Sequence, residues 1–139
     1  MKRLALLLFV CSTAFASDAQ QQVFDLFSKI ASALAEGDAG TFVGAIDPSM
    51  PHFYDFRAGL ASLVGQAELT SSVEVISDDG NDAKRDEELD WLLHIVSKSD
   101  SHVVEERHKS VKCHLVRKGK KWIITSIDPM DFFAPPKGG

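Results

Sequence analysis

The spacing of apolar residues changes partway along the chain, and this change constrains the fold more than any other feature. Val23, Phe27, Ile30 and Leu34 recur at intervals of four, three and four, which places them on one face of an α-helix. After Gln66, apolar and polar residues alternate, as they do in a β-strand with one buried face. Helices in the first half and strands in the second predict an α+β domain rather than alternating α/β units.

Two helices are predicted at the start of this domain. The first begins at Asp18, whose carboxylate can cap free backbone N–H groups, with Gln21 at the reciprocal capping-box position. It runs for about 18 residues before Gly37, where a left-handed C-cap is expected. The second begins at Asp38 and stops before Pro48, because proline disfavours helical geometry in the preceding residue.

A third helix is predicted to follow at once. Ser49 can cap its first turn, and Pro51 fits in that turn because its missing N–H costs little there. The helix is expected to end at Gly65. Its apolar stripe consists of Phe53, Phe56, Leu60, Leu63 and Val64.

Four strands joined by turns are predicted in the second half. The first contains Val73 and Val75, and the others cover residues 84–97, 102–117 and 121–127. Residues 78–82 are acidic and contain glycine and asparagine, which predicts a solvated hairpin turn. A calcium loop would need a longer ordered ligand pattern ending in glutamate, and that pattern is missing. On the second strand Leu89, Trp91, Leu93 and Ile95 share one face, and Asp90, Leu92, His94 and Val96 share the other.

The first 16 residues have the pattern of an export signal. Lys2 and Arg3 precede an apolar stretch that is too short to span a bilayer, and residues 14–16 match a small-residue cleavage site. We therefore expect cleavage between Ala16 and Ser17 and a secreted or periplasmic protein without stable membrane insertion. Lipid attachment at Cys11 is an alternative, although Val10 is not the small residue that usually precedes a lipidated cysteine.

Cleavage leaves an acidic chain with one thiol. The full sequence has 15 basic and 20 acidic residues, so losing Lys2 and Arg3 leaves 13 basic residues and a net charge of −7. An acidic domain does not attract phosphate backbones, which argues against a nucleic-acid partner. The basic residues 117–121 are expected at a hairpin tip. Cys113 then has no disulfide partner, and its apolar neighbours at alternate positions predict a buried, inert thiol.

The order of elements resembles that of the NTF2-like (SnoaL-like) superfamily. Residues 111–127, VKCHLVRKGKKWIITSI, are similar to the final hairpin of that family, in which a strand ending in basic residues turns through glycine into a strand containing tryptophan. The resemblance covers residues 18–133 and implies a cone-shaped fold, with three N-terminal helices packed on a curved antiparallel sheet. Together with the export signal and the C-terminal residues, it divides the chain into a signal peptide at 1–16, a domain at 17–133 and a flexible tail at 134–139.

In this family the space between helices and sheet commonly forms a ligand pocket. Arg107 lies in the same alternate row as Val111 and Cys113, so it could meet an anionic ligand at the mouth, or it could pair with Asp90, Glu87 or Glu105. The expected pocket residues are Phe27, Tyr54, Phe56, Leu60, Trp91, Leu93, Arg107, Val111, Cys113 and Trp122.

Enzymes of this family use an acid or imidazole in the cone, but no motif here fixes which residue would correspond. His94 and Asp90 are the candidates for a catalytic base. Glu106, His108 and His114 share a strand face, and His94 of the preceding strand could approach Glu106 or His108. Two histidines and a glutamate could ligate zinc, yet no short paired-ligand motif accompanies them, so no metal site is predicted. The sequence contains no phosphate-binding glycine loop or redox-cofactor motif, so no cofactor is predicted.

These observations predict a secreted, noncatalytic domain that binds a small hydrophobic ligand or a protein partner. The alternative is a cofactor-independent lyase or isomerase of the SnoaL-like or ketosteroid-isomerase-like kind, with His94 or Asp90 as base. A homodimer through the outer face of the sheet is also expected, because Leu92, Val96 and Val116 give that face apolar area.

Overall fold

A computed structural model describes residues 18–100 and 104–136 of the chain. The predicted signal peptide, its cleavage point and Cys11 lie outside these residues. Three helices precede a four-stranded antiparallel sheet, and a short 3₁₀ helix follows the last strand. The elements are α1 (Asp18–Ala35), α2 (Ala39–Gly44), α3 (Phe53–Gln66), β1 (Ala67–Gly80), β2 (Lys84–Ser97), β3 (Val104–Lys118), β4 (Lys121–Asp128) and the C-terminal 3₁₀ helix (Met130–Phe133).

The first helix follows its predicted boundaries, and the second begins as predicted but ends at Gly44 rather than just before Pro48, because the residues after it pair with Ile124. The buried residues of α1 are those of the predicted stripe, joined by small alanines. Gly37 has a φ of 78°, a conformation that glycine adopts without steric cost, and the chain turns there directly into α2. Asp38 caps α2 by accepting hydrogen bonds from the backbone and hydroxyl of Thr41. Gln21 does not reach back to Asp18; its side-chain amide donates to Asp25 at 2.9 Å.

The predicted N-cap of the third helix, Ser49, was wrong by three residues. Ser49 does not cap it, because Asp47 accepts hydrogen bonds from both the backbone N–H and the hydroxyl of Ser49 and holds these residues in a turn. The helix begins at Phe53 after His52, whose φ of 62° is left-handed and which makes no side-chain cap. It ends at Gln66, one residue beyond the predicted Gly65.

The sheet is a meander in which each strand pairs with the next along the chain. Bulges between Val75 and Ser77 and beside His114 shift the register, and bulges of this kind increase the twist and bend of a sheet. The helices cover the concave face. The segment between α2 and α3 protects the edge of β4, since Asp47 donates its backbone N–H to Ile124 and Ile124 donates to Ala45.

The first hairpin is longer than its sequence suggested. Strand β1 continues through Asp78 to Gly80, so the acidic cluster is not all turn as predicted. The chain reverses at Asn81, whose side chain accepts hydrogen bonds from the backbones of Ala83 and Lys84. Gly80 has a φ of 144°, and a Cβ there would lie 2.2 Å from the carbonyl oxygen of Lys84, so only glycine fits.

The C-terminal 3₁₀ helix was not predicted as an element. It follows Pro129 and turns Phe132 and Phe133 into the concave side of the sheet, where both are buried. These residues join the main core, which is formed by the apolar faces of α1, α2, α3 and all four strands. Among the described residues, no helix combines the length and apolar character needed to cross a membrane.

Candidate functional site

Aromatic rings fill the concave interior, where the resemblance predicts a pocket. Trp91 of β2 lies at the centre, fully buried, with its indole N–H donating to the hydroxyl of Ser71 at 2.9 Å. The ring of Phe42 stacks on it at 6.1 Å between centroids, and that of Phe133 meets it edge-on at 5.0 Å. We define the aromatic cluster as Phe27, Phe42, Phe56, Trp91, Phe132 and Phe133.

The expected pocket residues therefore pack against one another. Eight of them are buried in the core: Phe27, Phe56, Leu60, Trp91, Leu93, Val111, Cys113 and Trp122. Tyr54 points away from the interior instead. It is 67% exposed on α3, where the guanidinium of Arg57 lies 5.2 Å from its ring centroid. The sequence thus identified residues that face the interior, but it did not show that aromatic side chains of the chain itself fill that space.

Arg107 holds the C-terminal segment against β3. Its guanidinium donates to the backbone carbonyls of Phe132 at 2.8 Å, Ala134 at 2.7 Å and Pro135 at 3.2 Å, and it pairs with the carboxylate of Glu105 at 2.7 Å. Of the two roles considered from the sequence, the structure thus shows pairing with Glu105. It also places the first two residues of the predicted tail against the domain, since their carbonyls accept hydrogen bonds from this side chain.

The candidate bases His94 and Asp90 lie on the convex face of the sheet, outside the interior. Asp90 accepts a hydrogen bond from His108 Nε2 at 2.8 Å, and His94 Nδ1 lies 3.9 Å from the carboxylate of Glu106. Both side chains are more than two-fifths exposed, at 44% for His94 and 41% for Asp90. Neither side chain therefore points into the apolar interior that the lyase or isomerase mechanism requires.

The same convex face contains the residues considered for zinc. Glu106, His108 and His114 do share this face, as alternation predicted. Each lies beside a different residue of β2, namely His94, Asp90 and Asp86 in that order. His114 pairs with Asp86, so the two imidazoles do not converge. Within residues 18–100 and 104–136, no group of three or more potential ligands is arranged to hold a metal ion.

A buried acidic cluster lies at the hairpin end of the concave face. Asp78 and Glu87 are directly opposite each other on β1 and β2, and Arg85 donates two hydrogen bonds to Asp78, at 2.7 and 2.8 Å. The side chain of Glu87 is fully buried; as a carboxylate it would accept no hydrogen bond from the described residues, and Arg85 Nε is 4.0 Å from it.

The pKa values of the two carboxyl groups in this cluster are shifted in opposite directions. Burial, reinforced by the neighbouring Asp78 carboxylate, raises the pKa of Glu87 to about 9, so Glu87 is a neutral acid at pH 7. Burial also acts to raise the pKa of Asp78, but hydrogen bonds from Arg85 outweigh it and lower that pKa to about 2. Burial likewise raises the pKa of the Cys113 thiol to about 12, which fits the predicted inert cysteine.

Comparison with solved structures gives close matches in backbone shape. A conserved protein from Planctomyces limnophilus superposes with a TM-score of 0.70 at 9% identity, covering 78% of this chain and 91% of that one. An NTF2-like superfamily protein from Salmonella enterica superposes with a TM-score of 0.64 at 10% identity, covering 88% of this chain and 95% of that one. The chain has an NTF2-like fold.

A third match was solved as a complex. The structure from Catenulispora acidiphila, in complex with S-DNPA, has a TM-score of 0.59 at 13% identity and covers 78% of this chain and 89% of that one. Such identities show the fold alone. Comparison of the sequence with protein-family models gives no match, and neither does comparison with curated proteins.

Sequence reasoning did not single out the acidic cluster of this NTF2-like domain, although a signal was present. Glu87 stands two residues before Leu89 and four before Trp91, so extending the same alternation by one step places it on the buried face. Asp78 was assigned to a turn because of its neighbours. The side-chain pair with Arg85 could be found only once the register of β1 against β2 was known.

Proposed function

We propose that this NTF2-like domain is a noncatalytic, exported binding protein that acts through its surface. The observation that carries the proposal is the filled interior: six aromatic rings occupy the region beneath the helices, and Arg107 holds the last of them in place. A ligand in the cone would have to displace Phe132 and Phe133, which are among the most deeply buried residues. Binding at the outside requires no such rearrangement.

The convex face of the sheet is the surface that we propose for the partner, which is a second copy of the chain. Val96 and Val104 are paired directly across β2 and β3, and Val104 is 51% exposed. Leu92 is half-buried on the same face, four residues from Val96 along β2. Val116 is half-buried at the other end of β3, opposite Lys84, and lies outside this patch. An apolar patch surrounded by charged pairs is typical of the centre and rim of an interface. Twofold pairing would place this face against itself.

Light scattering with a substitution in the patch tests this proposal. We expect the purified protein to be a dimer at high micromolar concentration and Leu92→Glu to be a monomer, because the substitution would bury an unpaired charge in each copy. Tyr54→Glu is the matched control, since it places the same charge on an exposed aromatic residue of α3. A protein that is monomeric at millimolar concentration would reject the homodimer.

No observation favours the alternative lyase or isomerase over this proposal. That mechanism required His94 or Asp90 to point into a partly apolar cavity, and both lie on the convex face. Glu87 is buried, its raised pKa keeps it protonated at neutral pH, and it lies opposite Asp78 and beside Arg85. It therefore serves as neither a base nor an accessible acid.

Export is part of the proposal and has its own test. The motivation is the charged, apolar and small-residue order of residues 1–16. N-terminal sequencing of the protein from the periplasm or medium of an expressing bacterium should begin at Ser17. A first residue of Met1, or a chain recovered only from the cytoplasm, would contradict export.

A further inference from the structure

A groove on the flank of the domain is independent of both the filled interior and the convex face. It runs between α1, α2 and the start of β4 and has a volume of about 460 Å³. This volume is within the range of about 300–1,000 Å³ that is usual for small-molecule sites. Leu26, Ala45, Trp122 and Ile123 give it an apolar floor. Trp122 is fixed there, since its indole N–H donates to Gln22 at 3.0 Å.

On the α2 side, two of the residues that line the groove are glycines and so have no side chain. Gly40 and Gly44 both line the groove, although glycine in a helix costs about 1 kcal/mol relative to alanine. Neither has a positive φ that would require glycine. A Cβ at Gly44 would meet nothing within 4 Å, so tight packing does not require glycine there either. The effect of glycine at position 44 is to keep the groove open.

The rim is basic on a protein that is acidic overall. Lys29, Lys120 and Lys121 line the groove, against one acid, Asp25, which already accepts a hydrogen bond from Gln21. None of these lysines forms a hydrogen bond or ion pair within the part of the chain that the structure describes. By contrast, Lys118 at the adjoining hairpin is paired with Asp47 at 3.1 Å.

We propose that this groove binds a small amphipathic carboxylate, with its apolar body on the floor beside Trp122 and its carboxylate at the lysine rim. The positive charge of the three lysines at the rim favours an anionic ligand. The apolar floor selects a ligand with a hydrocarbon or aromatic body over a free inorganic anion. The site is separate from the proposed dimer face, so either proposal can fail without the other.

Titration by ¹H–¹⁵N NMR tests the site with 1-naphthylacetate as probe and the neutral 2-(1-naphthyl)ethanol as its uncharged counterpart. The chain has two tryptophans, so the two indole N–H signals distinguish groove from core. We expect naphthylacetate to shift the Trp122 signal in a saturable way and to leave that of Trp91 in place. The alcohol should bind about 5-fold more weakly, since exposed charge pairs contribute modestly.

Two kinds of variant locate the binding. Gly44→Phe fills the groove and should abolish the Trp122 shift, whereas Gly65→Phe on α3 is the matched control, because a Cβ at Gly65 also meets nothing within 4 Å. Lys29→Glu combined with Lys121→Glu should weaken binding about 10-fold, while Lys112→Glu on the convex face should not change it. Absence of a saturable shift in the wild type, or equal binding by Gly44→Phe and Gly65→Phe, would overturn the proposal.

Discussion

At the scale of single residues, Glu87 is the most deeply buried acidic residue among the described residues, at 2% exposed. Its pKa is raised from 4.5 to about 9 by burial and by the Asp78 carboxylate, so the folded protein keeps a proton that the unfolded chain releases. The stabilising contribution of that proton is complete below about pH 4.5 and is lost as pH rises toward 9. Asp78 acts in the opposite sense, but only at acidic pH, because its lowered pKa is about 2.

We therefore expect stability to fall between pH 7 and pH 9, by up to about 1.4 kcal/mol per pH unit for one proton at full linkage. Glu87→Gln keeps the shape of the side chain and cannot ionise, so its stability should change much less over this range. Urea unfolding at several pH values measures the slope. Glu88→Gln on the convex face, where Glu88 accepts a hydrogen bond from Ser110, should retain the wild-type slope. Parallel slopes for wild type and Glu87→Gln would contradict a proton held at Glu87.

Arg107 supplies a second prediction at this scale. Its planar guanidinium reaches three carbonyls and the Glu105 carboxylate together, and a lysine ammonium cannot reproduce that geometry. Arg107→Lys should cost about 1–2 kcal/mol and speed amide exchange in the C-terminal 3₁₀ helix. Arg57→Lys, at an exposed position on α3, is the control. Unchanged exchange at Phe132 and Phe133 would show that the hydrogen bonds do not hold the segment.

At the scale of elements, the C-terminal 3₁₀ helix has more influence than its four residues suggest. Phe133 contacts the rings of Phe42, Phe56 and Trp91 at once, with centroid distances of 5.1, 5.9 and 5.0 Å. The element thus ties α2, α3 and β2 together at the centre of the interior. Because Phe133 follows the last strand, the core is complete only when the end of the domain has docked.

Phe133→Ala should leave a cavity beside Trp91 and lower the free energy of unfolding by about 3–5 kcal/mol. Chemical denaturation measures this loss, and Tyr54→Ala, at a residue that is 67% exposed, should change stability by less than about 0.5 kcal/mol. If indole raises the melting temperature of Phe133→Ala but not that of the wild type, the segment is what excludes ligands from the interior. A loss no larger than that of Tyr54→Ala would show that the helix is not part of the core.

At the scale of the whole molecule, stability depends on one continuous core, since the predicted mature chain has one cysteine and can form no internal disulfide. Cys113 is 4% exposed with its pKa raised to about 12, so it reports opening of that core. We expect the peptide containing Cys113 to remain unlabelled by a thiol reagent in native buffer and to be labelled across the unfolding transition. Mass spectrometry follows the modification. Rapid labelling in native buffer would show that the core opens without global unfolding.

The sequence was informative wherever one local pattern decided the outcome. Helical spacing fixed the buried face of α1, and alternation fixed which side of β2 faces the core, because each periodicity is a property of the element itself. The start of α3 was misplaced because Ser49 can either cap a helix or donate to a nearby carboxylate. In the structure its backbone N–H donates to Asp47. Eight of the ten residues expected in the pocket are buried, because the same periodicities place them on the inner faces of their elements.

The sequence by itself determined an α+β chain with three helices, four hairpin-linked strands and a buried thiol, since these follow from spacing, turn residues and composition. Only the tertiary structure decided what those faces enclose. Phe132 and Phe133 are distant in sequence from α2 and α3, and Asp78 meets Arg85 only through strand register. Contacts between residues far apart along the chain depend on how whole elements pack against one another. The periodicity of a single element shows which of its faces is buried, but not which other element that face contacts.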